Sequence, residues 1–420
     1  MGCRTTIGEL CARICSGGTP KRDTIEFYEN GDIPWLNTSE ISFNRIRKTG
    51  QHITEAGLSG SSAKWIRKNS IAVAMYGATA GKVAITKIPL TTNQACCNLE
   101  INEEIADYRY IFYWFKNQYT RVLGLANGGA QQNLSAKTIR ALEIELPALS
   151  QQRRVASFLS TIDDKIELNA RLNGYLAELV SLEFMSRFSE NVPTVELGQV
   201  LSISTKSLKP QDCFGEVWEH YSIPAYDEKH WPVFEPADGI KSNKYIVDKD
   251  CFLISKLNPT TKRIWMPACS SNRPVCSTEF IVYKPNEPKH KSFYYAAIDA
   301  PAFTDFLLAH VTGSTGSRQR TQPKATLAYP MPAPGTEAIE DFCAFADPIY
   351  EQIKANELES KQLEGLRDVL LPRLMSGKID VSKVDLTQVN SHLAGPRFTR
   401  QPHAPCIRAP ATRRAYRRDS

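Results

Sequence analysis

An internal repeat constrains what this chain can fold into more than any other feature of its sequence. The segment Ile162-Asp-Asp-Lys-Ile166-Glu-Leu-Asn169 returns 187 residues later as Ile349-Tyr-Glu-Gln-Ile353-Lys-Ala-Asn356. Shorter matches follow the same order: Leu176 and Leu179 match Leu363 and Leu366, residues 128–132 fall opposite 315–319, Leu146-Pro147 falls opposite Ala333-Pro334, and Ile7-Gly8 resembles Leu197-Gly198. A duplicated unit predicts an internal pseudo-dimer, which suits a two-part, nearly two-fold target.

Two long helices are predicted, one in each copy of the repeat. They cover residues 150–187 and 336–371, because apolar residues recur in both at steps of three and four. The predicted packing seam is Val155, Leu159, Ile162, Ile166, Asn169, Leu176 and Val180 in the first helix, and Phe342, Ile349, Ile353, Asn356, Leu363 and Leu370 in the second. The simplest arrangement is an antiparallel coiled coil about 57 Å long, with a buried Asn pair that fixes its register. The alternative is two unrelated helices that cover separate cores.

The predicted fold class is α+β, with two mixed α/β domains joined by these helices in a pseudo-two-fold repeat. Strand-like runs such as Ile71-Ala-Val-Ala-Met-Tyr76 and a helix from Tyr108 to Leu125 place the first domain at residues 1–148. The remaining boundaries are 149–190 for the first helix, 191–335 for the second domain, 336–380 for the second helix with a closing motif, and 381–420 for a basic tail that is predicted to be disordered.

The composition is that of an ordinary globular protein with room for two or three domains. Of 420 residues, 42% are hydrophobic and 23% are charged. The N-terminus lacks the apolar core of a signal peptide, which predicts a cytoplasmic protein. The net charge of +6 is carried by residues 381–420, which hold eight basic and two acidic residues. A nucleic-acid-binding surface must therefore come from locally segregated charge.

No motif for enzymatic chemistry is found in the sequence. Gly77-Ala-Thr-Ala-Gly81-Lys82-Val83 has three residues between its glycines where a phosphate-binding loop has four, and Val83 stands where Mg²⁺ needs a hydroxyl. Asp347-Pro-Ile-Tyr350 lacks the second proline of an adenine methyltransferase motif and falls in the second helix. The eleven cysteines contain no Cys-x-x-Cys. We therefore expect no catalytic residue, no metal site and reduced thiols.

Several segments, taken in order, resemble the specificity (S) subunit of type I restriction–modification systems. The most specific is Leu370-Leu-Pro-Arg-Leu-Met-Ser-Gly-Lys-Ile-Asp380, which is similar to the motif that closes such subunits. Also similar are Tyr76-Gly-Ala-Thr-Ala-Gly-Lys-Val83, Thr92-Asn-Gln-Ala95, Gln131-Gln-Asn-Leu-Ser135, Pro147 leading to Gln151-Gln152, and Ser255-Lys-Leu-Asn-Pro-Thr-Thr-Lys-Arg-Ile264. The resemblance covers roughly residues 5–380 and departs from the family at the basic tail.

The resemblance implies two target recognition domains, each of which reads one half of a bipartite site in double-stranded DNA. The helices would act as a ruler that sets the spacer between the half-sites and would dock two methylation subunits. The resemblance also implies that this chain is not an enzyme and binds no cofactor. S-adenosylmethionine, ATP and Mg²⁺ would be bound by the methylation subunits and by restriction subunits, if these are present, which would carry adenine methyltransferase and ATP-dependent endonuclease activity. No membrane partner is expected.

Loop residues that donate, accept or carry positive charge are the expected DNA contacts, because base edges are read by hydrogen bonds and phosphates are bound by cations. In the first domain we predict Asn37, Thr38, Ser39, Tyr76, Thr79, Lys82, Asn93, Gln94, Gln131 and Gln132. In the second domain we predict Tyr226, Ser255, Lys256, Asn258, Lys262, Arg263, Arg318, Gln319 and Arg320. Lys82, Lys262 and Arg263 are expected at phosphates. For each position the alternative is a loop residue whose hydrogen bonds are satisfied locally.

Two other functions stay open at this point. A non-enzymatic coiled-coil scaffold would bind DNA without sequence preference, or not at all. A self-contained DNA methyltransferase would bind S-adenosylmethionine as an isolated chain.

Overall fold

The computed structural model describes residues 2–126, 133–190, 192–312 and 319–380. The chain divides into two compact units. Among the described residues, the first runs to Thr161 and includes Gly377 to Asp380, and the second is Ile162–Ser376. Gln131, Gln132 and Arg318, which the sequence predicts as DNA contacts, and the predicted disordered tail 381–420 lie outside the described residues.

The first unit is built on three sheets of short strands. Its strands are β1 (Cys3–Thr6), β2 (Cys11–Ser16), β3 (Ile33–Leu36), β4 (Asn44–Ile46), β5 (Gln51–Ile53), β6 (Ile71–Ala74), β7 (Val83–Thr86), β8 (Thr91–Thr92), β9 (Cys96–Ile101) and β10 (Glu143–Leu146). The sheet orders are β2-β9-β6-β7-β4, β5-β3-β8 and β1-β10. The predicted strand at β6 is confirmed. It pairs antiparallel with β7, and both strands are buried throughout, because small and β-branched residues allow both faces to be covered.

The helices of the first unit are α1 (Glu55–Ser59), α2 (Tyr108–Asn117), α3 (Tyr119–Gly124), α4 (Ala136–Arg140) and the first part of α5 (Leu149–Phe188). The prediction of one helix from Tyr108 to Leu125 is wrong, because α2 and α3 are separate. The backbone of Gln118 turns to φ −95° and ψ 10°, which interrupts the helical hydrogen bonding between them. The aromatic inner face of α2 is buried as expected.

The second unit repeats the mixed architecture. Its strands are β11 (Thr194–Glu196), β12 (Leu201–Ser204), β13 (Ser207–Leu208), β14 (Val217–Tyr221), β15 (Val233–Pro236), β16 (Lys244–Ile246), β17 (Phe252–Ser255), β18 (Ile264–Trp265), β19 (Pro274–Ser277), β20 (Phe280–Pro285), β21 (Val311–Thr312), β22 (Arg320–Thr321) and β23 (Pro330–Pro332). Its helices are the rest of α5, α6 (Leu197–Val200), α7 (Ile223–Lys229), α8 (Lys291–Asp299), α9 (Pro301–Ala309), α10 (Pro323–Thr326) and α11 (Thr336–Met375).

The internal repeat extends to the order of the strands. The order β2-β9-β6-β7 in the first unit has its counterpart in β12-β20-β17-β18, and the pairing of β1 with β10 has its counterpart in β11 with β23. Strands β3 and β14 also correspond, since each has one antiparallel and one parallel neighbour. The sheet around β14 has five strands, in the order β13-β16-β19-β14-β15.

Within the second unit, α5 and α11 pack antiparallel, as predicted. Arg367 Nη1 lies 2.7 Å from Asp163 Oδ1, and Lys165 Nζ lies 3.1 Å from Glu359 Oε2. Further along α5, Asn173 Nδ2 donates to the carbonyl of Ile353 at 3.1 Å. Because the partner number falls as the α5 number rises, the two helices run in opposite directions. The alternative of two unrelated helices over separate cores is thereby excluded.

The predicted asparagine pair lies buried at the centre of this packing. Asn169 is 1% exposed and Asn356 is 5% exposed. Asn169 Nδ2 donates to the Asn356 carbonyl at 3.3 Å and to Glu359 Oε2 at 2.8 Å, and Asn356 Nδ2 donates to Asn173 Oδ1 at 2.8 Å. A shift of either helix by one residue would leave these buried amides without partners, so the cluster specifies the register.

Most of the other seam residues lie where the periodicity puts them. Val155, Leu159, Ile162, Val180, Phe342 and Leu363 are buried, and Ile166, Leu176, Ile349 and Ile353 are half-buried. At the end of α11 the predicted Leu370 is likewise half-buried, and Leu371 and Leu374, which the prediction did not include, are buried.

No described helix combines the length and the apolar character that a membrane crossing requires. The ten described cysteines are all free thiols. Within the described ranges, no group of three or more His, Cys, Asp or Glu side chains is arranged to hold a metal ion.

Candidate nucleic-acid interface

In the first domain the structure joins two predicted contact residues that are distant in sequence. Asn93 Nδ2 donates to Asn37 Oδ1 at 3.2 Å, and Asn37 Nδ2 donates in turn to Gln51 Oε1 at 2.9 Å. Asn37 precedes the short helix Thr38–Glu40, and its backbone N–H donates a hydrogen bond to Glu40 Oε1 at 3.1 Å. Both predicted asparagines therefore hydrogen-bond to other side chains of the protein, which suits residues that position their neighbours.

The other predicted residues of this domain follow β3, β6 and β8. Tyr76 is 41% exposed, Ser39 and Gln94 are exposed, and Thr79 and Lys82 are half-buried. The Lys82 ammonium has no acidic partner among the described residues, which leaves its charge available to an anion. Gly77 and Gly81 adopt positive φ values of 74° and 78°, which lets the chain make the tight turn that presents Lys82.

In the second domain the loop after β17 lies against residues 319 and 320. Two groups of predicted DNA contacts that are distant in sequence are therefore close together in the fold. Asn258 N–H donates to the carbonyl of Gln319 at 3.0 Å, and Thr321 N–H donates to that of Lys256 at 2.9 Å. The side chain of Asn258 is used inside the loop, where it accepts from Thr260 Oγ1 at 2.7 Å.

Three of the predicted cations of the second domain already have carboxylate partners. Lys262 Nζ lies 2.5 Å from Asp299 Oδ1, and Arg320 Nη2 lies 3.3 Å from Glu279 Oε1. Arg263 donates two hydrogen bonds to Asp227, at 2.6 and 2.9 Å, and these bonds raise the pKa of the guanidinium. The phosphate contacts of Lys262 and Arg263 stay predictions, but a neutralised cation attracts phosphate less than a free one does.

The prediction for Ser255 needs correction, and Tyr226 and Lys256 also make contacts within the protein. Ser255 is 3% exposed, and its hydroxyl donates to the Leu257 carbonyl and accepts from the Leu257 N–H, so it shapes the loop and is not presented to DNA. Tyr226 is half-buried against Trp265, and its hydroxyl accepts from the Ile264 N–H at 3.3 Å. Lys256 donates to the Thr278 carbonyl at 2.6 Å, and burial lowers the pKa of its ammonium.

The structure also reveals a group of residues that the sequence analysis missed. Arg22, Tyr28, Trp35, Gln51 and His52 line an open hollow of about 380 Å³ in the first domain. The residues come from β3, β5 and the segment before β3, and no motif connects them in the sequence. The only sequence feature that could have indicated this hollow is the polar pair Gln51-His52 next to the apolar Ile53.

These features define a class of protein with two copies of a mixed α/β domain and a long antiparallel helix pair. Residues 4–177 match the family described as the type I restriction modification DNA specificity domain. The chain is 31% identical over 163 residues to the specificity subunit of the type I restriction enzyme EcoR124I/EcoR124II from Escherichia coli, a match that covers 38% of this chain and 40% of that protein's length.

A second relative is similar over nearly the whole chain. The specificity subunit of the type I restriction enzyme MjaIX from Methanocaldococcus jannaschii is 24% identical over 427 aligned positions, which cover 90% of this chain and 93% of the relative. The crystal structure of the S subunit from M. genitalium has the same fold, with a TM-score of 0.54 at 17% identity over 89% of this chain and 96% of the other. The matched family and both relatives are specificity subunits or domains of type I restriction–modification systems, and the solved structure shares their fold.

Proposed function

We propose that this chain is the DNA-recognition subunit of a type I restriction–modification complex, and that each mixed domain reads one half of a bipartite site. The observation that carries this proposal is the repeated strand order, since two domains of one topology in one chain suit two half-sites in one duplex. The family match over residues 4–177 and the two relatives support it, and they do not support the scaffold or the self-contained methyltransferase.

We further propose that α5 and α11 act as a ruler that sets the spacer between the half-sites. The 40-residue lengths of the two helices and the buried asparagine cluster support this role. Two helices that can pair in only one register form a helix pair of one fixed length. A helix of 40 residues is about 60 Å long.

The helix pair also offers a surface for partners. Leu168, Leu172, Tyr175, Leu179 and Leu182 are between 39% and 68% exposed and recur along α5 at steps of four and three. This set, the exposed stripe, lies about 120° around α5 from the seam that faces α11. An apolar heptad stripe without a partner among the described residues suits another helix, and we propose that methylation subunits dock there.

The stripe makes a testable prediction. Leu172→Glu combined with Leu179→Glu should leave the chain folded but weaken its assembly with the methylation subunit about 100-fold, because two buried charges would face an apolar partner. Size-exclusion chromatography and calorimetric titration of the two purified proteins would measure this. Ala170→Glu adds one such charge at an exposed position on another face of α5 and serves as the control. Assembly of the double variant at the wild-type affinity would contradict the docking proposal.

We propose that the chain itself carries out no catalytic step and holds no cofactor. On this proposal, S-adenosylmethionine binds to the methylation subunits, and ATP and Mg²⁺ bind to restriction subunits where the complex contains them. We also propose that the chain works in the cytoplasm, where it meets chromosomal DNA. The matches to type I specificity subunits support these proposals.

The unpaired charge of Lys82 gives a second prediction. Lys82→Ala should weaken DNA binding severalfold on every sequence. If one phosphate contact is lost, the slope of log Kd against the logarithm of the salt concentration should fall by about 0.9. Lys262→Ala should have a smaller effect, because Asp299 already neutralises that ammonium. Fluorescence anisotropy of the complex at several salt concentrations would measure both slopes. A larger slope change for Lys262 than for Lys82 would show that the ion pair opens on DNA.

Methylome sequencing of cells that co-express this chain with its methylation subunits tests the proposed function directly. We expect one bipartite motif, methylated on adenine, with a fixed spacer. A folded complex that methylates no motif would favour a scaffold that binds DNA without sequence preference.

A further inference from the structure

The hollow in the first domain has an apolar floor and a polar rim. The rings of Tyr28 and Trp35 meet edge to face, with centroids 5.9 Å apart. The Tyr28 hydroxyl donates to the Pro20 carbonyl at 2.7 Å, and Trp35 Nε1 donates to the Gly18 carbonyl at 2.9 Å. Since both polar atoms are satisfied inside the protein, the floor offers only aromatic surface. The hydrogen-bonding groups that face an incoming ligand therefore belong to the rim, which is formed by Arg22, Gln51 and His52.

A chain of hydrogen bonds fixes which end of the Gln51 amide points outward. It starts at Cys96, which is fully buried, and burial raises the pKa of that thiol far above its usual range, so Sγ keeps its proton. Cys96 Sγ donates to Asn93 Oδ1 at 3.3 Å, Asn93 Nδ2 donates to Asn37 Oδ1, and Asn37 Nδ2 donates to Gln51 Oε1. Each amide is thereby oriented by the one before it, and the Gln51 oxygen is occupied from inside.

The backbone next to Gln51 is held just as firmly. Glu40 accepts the Asn37 N–H through Oε1 and the Gly50 N–H at 2.9 Å through Oε2, so one carboxylate ties the start of β5 to the end of β3. Gln51 itself is exposed, and its Nε2 has no acceptor among the described residues. The free Nε2 therefore presents N–H donors at the rim of the hollow, where the Arg22 guanidinium adds donors that cannot accept.

We propose that Gln51, with Arg22 beside it, reads a guanine in the half-site of the first domain, and that Asn37 and Asn93 position the reader. This inference rests on the proposed function. Guanine presents two acceptors, N7 and O6, at its major-groove edge, which match the donors of Gln51 and Arg22. Adenine presents a donor at N6 beside its N7 and would place that donor against Arg22 and Gln51.

The repeat supplies an internal comparison. In the first domain Trp35, two residues before the helix-capping Asn37, is paired with Gln51 across β3 and β5. In the second domain His220, two residues before the helix-capping Ser222, is paired with Val233 across β14 and β15. Val233 is 44% exposed and has no side-chain donor. The guanine-reading group is therefore specific to the first domain, and changing it should leave the other half-site unaffected.

The test uses the assembled methylation complex and the motif that methylome sequencing assigns to it. Gln51→Glu replaces the outward donor with a negative acceptor. Initial methylation rates are measured on duplexes in which each position of the first half-site carries each base pair in turn. We expect the rate on the wild-type site to fall about 10- to 100-fold, and the preference for guanine at one position of that half-site to be lost. Gln51→Met keeps the shape without a donor, and it should lose the same preference without gaining another.

The controls separate this inference from the proposed function. Gln199→Glu makes the same chemical change at an exposed position of the second unit and should leave every preference unchanged. If wild-type methylation shows a bipartite motif but both Gln51 variants keep the full guanine preference, the inference is overturned and the proposed function stands. If the wild-type complex recognises no bipartite motif, both are overturned. Loss of preference at the second half-site as well would also overturn it, because the effect of Gln51 would then not be confined to the first domain.

Discussion

Phe342→Ala is expected to lower the free energy of unfolding of the second unit by about 3–5 kcal/mol. Phe342 is fully buried on α11 and meets Phe184, Phe188 and Phe293, with ring centroids 5.6, 5.7 and 5.9 Å away. These four rings, the aromatic joint, connect both long helices to α8 of the domain. Truncation removes the contacts of one ring and leaves a cavity that three rigid neighbours cannot fill.

Hydrogen exchange measures this loss region by region. Amides of α8 and of α11 around residue 342 should exchange faster in the variant, whereas amides of β6 and β9 belong to the other unit and should not change. Tyr175→Ala is the matched control, because that ring is 68% exposed and its removal should cost less than about 0.5 kcal/mol. A loss below about 1 kcal/mol for Phe342→Ala would mean that the joint repacks around the missing ring.

Lengthening the helix pair by one heptad is expected to change the recognised site without changing either half of it. Seven residues would be inserted in α5 between Asp163 and Asn169 and, opposite them, in α11 between Ser360 and Arg367. The contacts on either side, Asp163 with Arg367 and Asn169 with Ser360, would be kept. Seven residues add about 10.5 Å, so the spacer should lengthen by about three base pairs at 3.4 Å each.

Methylome sequencing of cells that carry the lengthened chain would show the new spacer. Insertion in α5 alone is the control, because it shifts Asn169 away from Asn356 and should abolish methylation. Doubly lengthened chains that still methylate the original motif with the original spacer would rule out the ruler.

The two largest expected effects depend on different levels of protein structure. The ruler depends on a pattern that is local in sequence: apolar residues at heptad spacing, repeated after 187 residues with an asparagine at the same place. The aromatic joint depends on residues from three separate helices, which only the folded chain brings together.

The sequence by itself determined the duplicated α+β organisation, the two long helices and the buried Asn169–Asn356 pair. Helical periodicity and self-similarity are properties of neighbouring residues, so the order of the residues is enough to read them. The tertiary structure alone decided which polar side chains are available to a ligand. Lys262 and Arg263 look like phosphate-binding residues until Asp299 and Asp227, 37 and 36 residues away, are placed beside them. Gln51 became a candidate reader only when Asn37 occupied its oxygen, because a hydrogen bond depends on distance in space and not on distance along the chain.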